Sequence, residues 1–555
     1  MTPAAAPPLA GLPRELRTLL VQGGVGKQHL ARCARAALEH GDGVWPGLAR
    51  RLFLAAWECD PLDGALARAA SCLPGEALPP ALGALLEAVA LGCSPPADLK
   101  YFSRLAERRD HDKLRHYLGQ QRAKQPDNLF WLNHELTHLL AIADFDGACR
   151  LVAEALPASV SALAPRLLGD LALCQGDAAL AIEHYRNFPT VFSGPGTAFA
   201  RARAHALSGQ AGRAAGVLAE LAANHPWCVN ATLALYDLVC PGALKSAALP
   251  GPAAVLLYTF NKAAELEVTL ASLERSLQDA PGVSRIVVLD NGSTDDTPLV
   301  LSAAAGRLGA DALRVVRLPV NVGAPAARNW LRREPEAASA EFIVYMDDDV
   351  DLPANWLTRL AAAQAAYPGA GVYGCKVVDQ ARPLLIQSAD LHLEALPPAP
   401  DGQDDSRTAP AARRFEMSTL HHQVLDFGQF DYLRPCASVT GCLHMFAAAE
   451  LEACGDFDLR FSPSQFDDLD HDLRLLAGGK VPVFQGCLSL PHLKRTGTVS
   501  GVGGAGYGTG FANQYKLHGK YSREEIRRMA ELADRAVWDD YLAKWTALHD
   551  QPIRP

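Results

Sequence analysis

Clustered positive charge, long apolar runs and paired cysteines are all scarce in this 555-residue chain. Basic residues occur only as scattered pairs such as Arg413–Arg414 and Arg527–Arg528, against a formal net charge of −9, which excludes the basic footprint of a nucleic-acid binder. The most apolar early stretch, near Leu82–Gly92, is too short for a bilayer and carries Glu87. The first residues, rich in Pro and Ala, lack the basic start and apolar run of a signal peptide. No transmembrane segment is expected, and the expected location is cytoplasmic, with peripheral contact at the inner membrane left open. Thirteen cysteines, odd in number and never spaced C-x-x-C, suit neither a disulfide framework nor a zinc site. They read as small buried side chains in a reducing compartment.

What is present is ordinary for a globular chain: 49% apolar and 20% charged residues. The length exceeds what one core can serve, at about 100–200 residues per domain. Residues 1–12 are expected to be disordered. From Pro13, suited to a first helical turn, to about 245 the pattern is helical: Ala, Leu and Arg dominate, with apolar residues recurring at three and four. Part of it repeats. Leu168–Leu171 leads into Gly176-Asp177, Ala181 and Tyr185; thirty-three residues after Gly176 come Gly209-Gln210, Ala214 and Leu218, and Pro226 closes the copy. A weaker copy lies around Asp144–Ala148. This pattern resembles tetratricopeptide-type helical hairpins, although their early Trp and Tyr are missing. Gly23–Lys27 imitates a phosphate loop, but it lacks the upstream Gly, has Gln28 for Ser/Thr and follows no strand, so it is not read as a nucleotide site.

Near Pro241–Pro252 the texture changes to short β-branched runs alternating with amphipathic helices. Val255–Phe260, Arg285–Asp290, Leu313–Leu318 and Phe342–Asp347 predict buried parallel strands, with later strands at Gly371–Val378, Ser438–Ala447 and Val481–Phe484. Helices are expected at Glu265–Gln278, Asp295–Arg307, Ala324–Arg333 and Ala354–Ala366. Such alternation means an α/β domain, over about 250–520, whose ligands gather at the carboxyl ends of the strands. Pro397–Arg414 reads as an insertion, Gly501–Gly510 as either a lid or a loop, and 521–555 as a helical tail.

The polar residues fall where strands stop. Asp290-Asn291-Gly292-Ser293 ends the second strand, Asn321-Val322-Gly323 follows the third and Asp347-Asp348-Asp349 ends the fourth. Each alone is good turn or cap chemistry; three in order at sequential strand ends point to one crevice. Three adjacent carboxylates after an apolar strand repel one another and lose hydration, so a cation should compensate. Oxygen ligation in a phosphate-handling site suits Mg²⁺ or Mn²⁺.

With Thr259-Phe260-Asn261 on the opening strand, Ala327-Arg328-Asn329, and the later Gly455–Asp458 and Phe466–Asp470, this ordered series resembles a family 2 glycosyltransferase. The resemblance implies an α/β GT-A fold, Rossmann-like with a mostly parallel sheet, preceded by the all-α helical-repeat region. It implies a nucleoside-diphosphate sugar donor (UDP, dTDP or GDP), with Thr259, Asn261, Asp290, Asn291, Gly323, Arg328, Asp347 and Asp348 at the donor. Asp290 would accept a base N–H; Arg328 would help bind the donor or else pair with the acids. Asp347 and Asp349 match the family's D-x-D, with His492 as a further metal ligand. Asp467-Asp468 stands where the family has its base, Asp468 at the aligned position, although acids at a helix start are also what the helix dipole favours.

A single base without a second nucleophile implies one in-line displacement and inversion. The acceptor is expected to be a glycan or a protein, with the helical domain as its holder; bracing or a homodimer contact is the other role for those helices. The reading from another class is an inactive adaptor that binds nucleotide sugar or a partner. A nucleotidyltransferase would need a Gly-rich loop after the first strand, which Thr259–Lys262 does not supply.

Overall fold

The computed structural model describes residues 7–75, 77–108, 110–240, 247–277, 282–380, 382–398, 413–422, 424–493 and 505–550. The chain forms two compact units: Met1–Leu235 with Val424–Gln429 and Trp545–Pro555, and Tyr236–Gln423 with Phe430–Lys544. Of the expected disorder of 1–12, residues 1–6 lie outside those described, whereas 7–12 form a turn that buries Leu9; most of the insertion Pro397–Arg414 also lies outside the described residues.

The first unit is built of successive helices, from Arg14–Gln22 to Ala211–Asn224 and beyond. Their starts are fixed by short polar side chains: Asp63, Asp110, Asn128, Asp144 and Asp177 each accept a first-turn N–H. The repeat seen in the sequence has a backbone counterpart. Gly176 and Gly209 both hold left-handed φ, 81° and 72°, in the turns between paired helices. Gly169 sits against the ring of Tyr185, where a Cβ would come within 2.6 Å of it, so the helices Ala164–Cys174 and Ala178–Arg186 can close up. Lys27 opens a helix, follows another helix and turns its ammonium to Asp60 at 2.7 Å and Asp63 at 3.5 Å. The phosphate-loop imitation is thus ruled out by context.

The second unit centres on a nine-stranded sheet. Its strands are β1 Ala253–Thr259, β2 Val283–Asp290, β3 Leu313–Arg317, β4 Phe342–Met346, β5 Tyr373–Asp379, β6 Arg382–Ser388, β9 Leu433–Pro435, β10 Leu443–Ala447 and β11 Val483–His492; β7 Leu393–Ala395 and β8 Phe415–Met417 form a separate antiparallel pair. The order is β3-β2-β1-β4-β10-β5-β11-β9, with β6 beside β5. Strands β1–β4 are mutually parallel, as are β5 and β11, and β10 runs antiparallel between β4 and β5. The carboxyl ends of β1, β2, β4 and β11 and the amino end of β10 therefore share one edge.

Burial on both faces explains why the strands read as continuous apolar runs. Ala253, Val255 and Leu257 of β1 join one core with Leu266, Leu270 and Leu273 of the helix Ala263–Ser276 and with Leu357 and Leu360 of Trp356–Ala366. Their fully buried neighbours Ala254 and Leu256 face the opposite layer, which includes the helix Ala324–Arg332.

The predicted elements are present with ends shifted by a few residues, and two strands differ more. Ser438–Ala447 begins only at Leu443, because Val439 N–H turns to the side chain of Asp472 at 3.0 Å. The last strand runs on from Val483 to His492 through a register shift between Gln485 and Ser489. Strands β6 to β9 had no sequence expectation; β7, β8 and β9 have three residues each, and β6 folds back on β5 through an irregular register. The Gly-rich stretch lies outside the described residues up to 504 and is helical from Ala505.

Trp356 is wholly buried, and its indole N–H donates to Ser276 Oγ at 3.0 Å. Trp356→Ala should lower stability by about 3–5 kcal/mol through lost burial and a residual cavity, read as a shift of the urea midpoint at unchanged slope.

Candidate active site

The shared edge of the sheet concentrates carboxylates. Asp347, Asp348 and Asp349 leave β4 together, and the helix Asp467–Ala477 begins with Asp467 and Asp468. Two cations are set among them. Lys262, just after β1, places its ammonium 2.9 Å from Asp348 and 2.7 Å from Asp349. Arg328, buried on the helix Ala324–Arg332, pairs with Asp467 and lies 3.8 Å from Asp347. Tyr258 and Phe457 present ring faces to its guanidinium at 5.4 and 5.3 Å. Of the two roles the sequence allowed Arg328, pairing with the acids is the one this geometry contains.

The electrostatics differ across the triplet. Burial, and then the charge of Asp349, push the Asp347 carboxyl up to about 6, against the pull of Arg328, His492 and Lys262. For Asp349 burial also works against ionisation. The hydrogen bond from His492 and the charge of Lys262 outweigh it and hold that carboxyl well below its ordinary value. Burial raises Asp348 in spite of Lys262, and raises Asp467 in spite of Arg328. The site thus holds a surplus of desolvated acid that its own cations neutralise in part.

His492 ends β11 with its ring spanning Gln387 through Nδ1 at 2.7 Å and Asp349 through Nε2 at 2.9 Å. An Asp347 oxygen, a His492 ring nitrogen and the Cys442 sulfur lie within 4.8 Å of one another. Carboxylates and an imidazole whose ring is oriented by Gln387 are a donor set that fits a divalent cation. Of the residues expected at the metal, Asp347 and His492 fall in that trio, whereas Asp349 lies outside it, 2.9 Å from His492 and 2.7 Å from Lys262. Nothing in the local sequence of Lys262, Cys442 and Gln387 sets them apart, since Lys262 and Cys442 meet the acids, and Gln387 meets His492, from distant segments.

On the donor side, Thr259 and Asp290 are neighbours across β1 and β2. One Asp290 oxygen accepts the Ser293 N–H at 2.9 Å, and the other takes no hydrogen bond from a described residue. Asn261, in left-handed backbone at φ 52°, accepts the Thr294 N–H at 2.7 Å, and its own N–H donates to Ser293 Oγ at 3.0 Å. Asn291 ties the two following loops together: its Oδ1 accepts from Val322 N–H and its Nδ2 donates to Asn321, both at 2.9 Å. Gly323, at φ 85°, turns the chain into the Arg328 helix and packs on Pro463.

The adjacent acids at the start of the helix Asp467–Ala477 face different ways. Asp467 is buried against Arg328. Asp468 accepts the Gly441 N–H at 2.9 Å and lines a cavity of about 350 Å³ with Gln387, His421, Thr440 and Leu469. Asp470 is taken up by Lys520, Tyr521 and Arg474, and Asp472 by Ser438 and Val439. Gln465 and Phe466, just before the helix, both hold left-handed backbone, at φ 77° and 70°. Such residues cost about 1–3 kcal/mol each and persist where neighbours over-determine them. Here buried Asn513 does so, donating to the Phe461 and Ser464 carbonyls at 2.8 and 2.9 Å.

Residues 254–423 match the family model described as "Glycosyl transferase family 2". The chain carries a family 2 glycosyltransferase domain. Among curated proteins, no sequence relative matches it. Solved structures similar to it include GalNAc-T7 with UDP, GalNAc and Mn²⁺, at 13% identity over 44% of each chain and a TM-score of 0.32. Another is the mannosyltransferase PcManGT from Pyrobaculum calidifontis in complex with GDP-Man and Mn²⁺, at 16% identity over 58% of this chain and 84% of that one, TM-score 0.34. This chain thus spans less than half the length of GalNAc-T7. The glycosyltransferase match ends before Asp468, Cys442 and His492, which reach the site from the chain beyond it.

Two outcomes test this geometry. A methyl at Gly441 would sit 3.0 Å from Asp468 Oδ2 and 3.1 Å from Arg328 Nη2. Gly441→Ala should therefore slow glycosyl transfer by roughly 10²-fold through misplacement, while circular dichroism stays unchanged. Burial lowers His421 to about 4. The unfolded chain then binds the extra proton first, and the His421 contribution to stability is lost as pH falls from the ordinary value of 6.5 through 4. Thermal unfolding of His421→Asn should accordingly lose less stability than the unaltered chain between pH 7 and 4.

Proposed function

We propose that this protein is an inverting, divalent-metal-dependent glycosyltransferase that moves a sugar from a nucleoside-diphosphate sugar to a neutral hydroxyl acceptor. The observation that carries the reading is Asp468: an acid that borders an open cavity while its neighbour Asp467 is engaged by Arg328.

Asp347 and His492, with Asp349 beside them, would hold the cation, Mn²⁺ or Mg²⁺, whose chemistry is to neutralise the diphosphate leaving group. The free oxygen of Asp290 suits the imide N–H of a uracil or thymine, or guanine N1–H, because a carboxylate only accepts. Thr259, Asn261, Asn291 and Gly323 shape the loops around that base, and Asp348 keeps Lys262 in place at the edge of β1. Asp467 and Arg328 act by position: their ion pair fixes the start of the helix that presents Asp468.

Asp468 then takes the proton of the acceptor hydroxyl as that oxygen attacks the sugar carbon from the side opposite the leaving diphosphate. One base and one displacement mean inversion. The cavity beside Asp468 is lined by neutral groups, Gln387, Ser388, Ser418, His421 and Thr440 among them, with Leu391 and Met417 as apolar surface. Among the described residues no lysine or arginine lines it, which favours a hydroxyl-bearing glycan or Ser/Thr side chain over an anionic acceptor. No helix among the described residues is long and apolar enough to cross a membrane. The helical unit suits capture of a polypeptide acceptor, since stacked helical hairpins offer extended grooves.

Asp468→Asn should reduce transfer by about 10²–10⁴-fold, the usual cost of losing a general base, while donor binding persists. Thermal shift with UDP-, GDP- and dTDP-sugars plus Mn²⁺ reads the binding; a donor at a hundred times its Kd adds about 2.7 kcal/mol. Near-normal transfer by this variant would remove Asp468 from the mechanism, and an unaltered chain that binds donor without turnover would favour the adaptor reading.

A further inference from the structure

Cys442 has no part in the reaction as described, yet it stands at the centre of the site. Leu443 pairs with Met346 across β10 and β4. The next residue outward on each strand makes the next pair, Cys442 opposite Asp347, and the Asp347 N–H donates to the Cys442 carbonyl at 3.1 Å. The antiparallel register thus fixes the cysteine beside the first acid of the triplet. β11 reaches the same edge from the other side of β5, and an isolated bridge between Val350 and His492 ties its end to the loop after β4. The three ligand atoms of Asp347, Cys442 and His492 come within 4.8 Å of one another, the one such trio among the described residues.

Oxygen, nitrogen and sulfur donors do not treat all divalent ions alike. An oxygen-only site suits Mg²⁺ and Mn²⁺, whereas thiolate and imidazole draw Zn²⁺ and Co²⁺. We propose that Cys442 is a thiolate ligand of the catalytic-site cation together with Asp347 and His492, so that this site takes Zn²⁺ or Co²⁺ ahead of Mg²⁺. On binding, the S–H proton leaves to solvent as the sulfur–metal bond forms, with no change of oxidation state. The proposal rests on the reading of a metal-dependent transferase and moves its preferred ion from the Mn²⁺ or Mg²⁺ of an oxygen-only site toward Zn²⁺ or Co²⁺. It also gives the residue's position a chemical reason: serine or alanine would fill the same buried place without drawing thiophilic ions.

Cobalt supplies a readout independent of turnover, because a thiolate on Co²⁺ adds a sulfur-to-metal charge-transfer band in the near ultraviolet. The untagged full chain is titrated with Co²⁺ in the presence of UDP, and separately of GDP, while equilibrium dialysis counts the bound metal. The expected result is a band that saturates at one cobalt per chain, is bleached by Zn²⁺ but not by equimolar Mg²⁺, and is absent from Cys442→Ser. Cys442→Ala, which offers no ligand atom, serves as the second variant, with circular dichroism confirming that each remains folded. Cobalt bound without the band, or a band that survives both substitutions, overturns the thiolate and leaves the metal-dependent reading standing. No cobalt bound under any of these conditions overturns both.

Discussion

Like-charge crowding at one edge of the sheet is the constraint on which the rest of the second unit turns. Asp347, Asp348, Asp349, Asp467 and Asp468 converge there, three of them from consecutive positions after β4. Desolvated carboxylates this close cannot all ionise unaided. The fold answers with Lys262 between two of them and Arg328 between two others, each delivered from a different strand connection. Arg328 in turn needs Tyr258 and Phe457 for its faces. Much of what surrounds the site, including the strained turn before Asp467, is a means of bringing those cations and acids to one place.

That arrangement also divides labour between acids that look alike on paper. Asp467 and Asp468 are adjacent, and the register of one helix turn decides their fates: one is buried in an ion pair, the other borders the cavity. Asp470 and Asp472 continue the acidic run, yet both are absorbed by hydrogen bonds that hold neighbouring segments. The helix dipole favours acids at a helix start in general; here the individual partners, rather than the dipole, separate the roles.

The parallel part of the sheet was legible in the chain because strands buried on both faces leave unbroken apolar runs, and the polar punctuation at their ends marked the crevice. Asp290, Asn291, Gly323 and the acidic triplet could be placed that way before any fold was known. Lys262, Cys442, Gln387 and Asn513 could not, since each acquires its meaning from a partner far along the sequence, as Lys262 does from Asp348 and Asn513 from Phe461. Strands β7 to β9 were hidden for the same reason: three-residue strands such as Leu433–Pro435 have too little pattern of their own and exist by pairing with β11 or with one another. The match to the family model stops at residue 423, so the acids of the helix Asp467–Ala477 were legible only through the resemblance of Phe466–Asp470 to the family's later motif.

The position of Lys262 has a consequence for how ions enter. Its ammonium already stands against Asp348 and Asp349, so the edge of the sheet is never bare of positive charge. A divalent ion held by Asp347 and His492 would sit beside a tethered, strongly hydrated monovalent one rather than in a wholly uncompensated cluster of acids. The acids of β4 would then share their charge between two cations, one carried by the chain and one taken from solution.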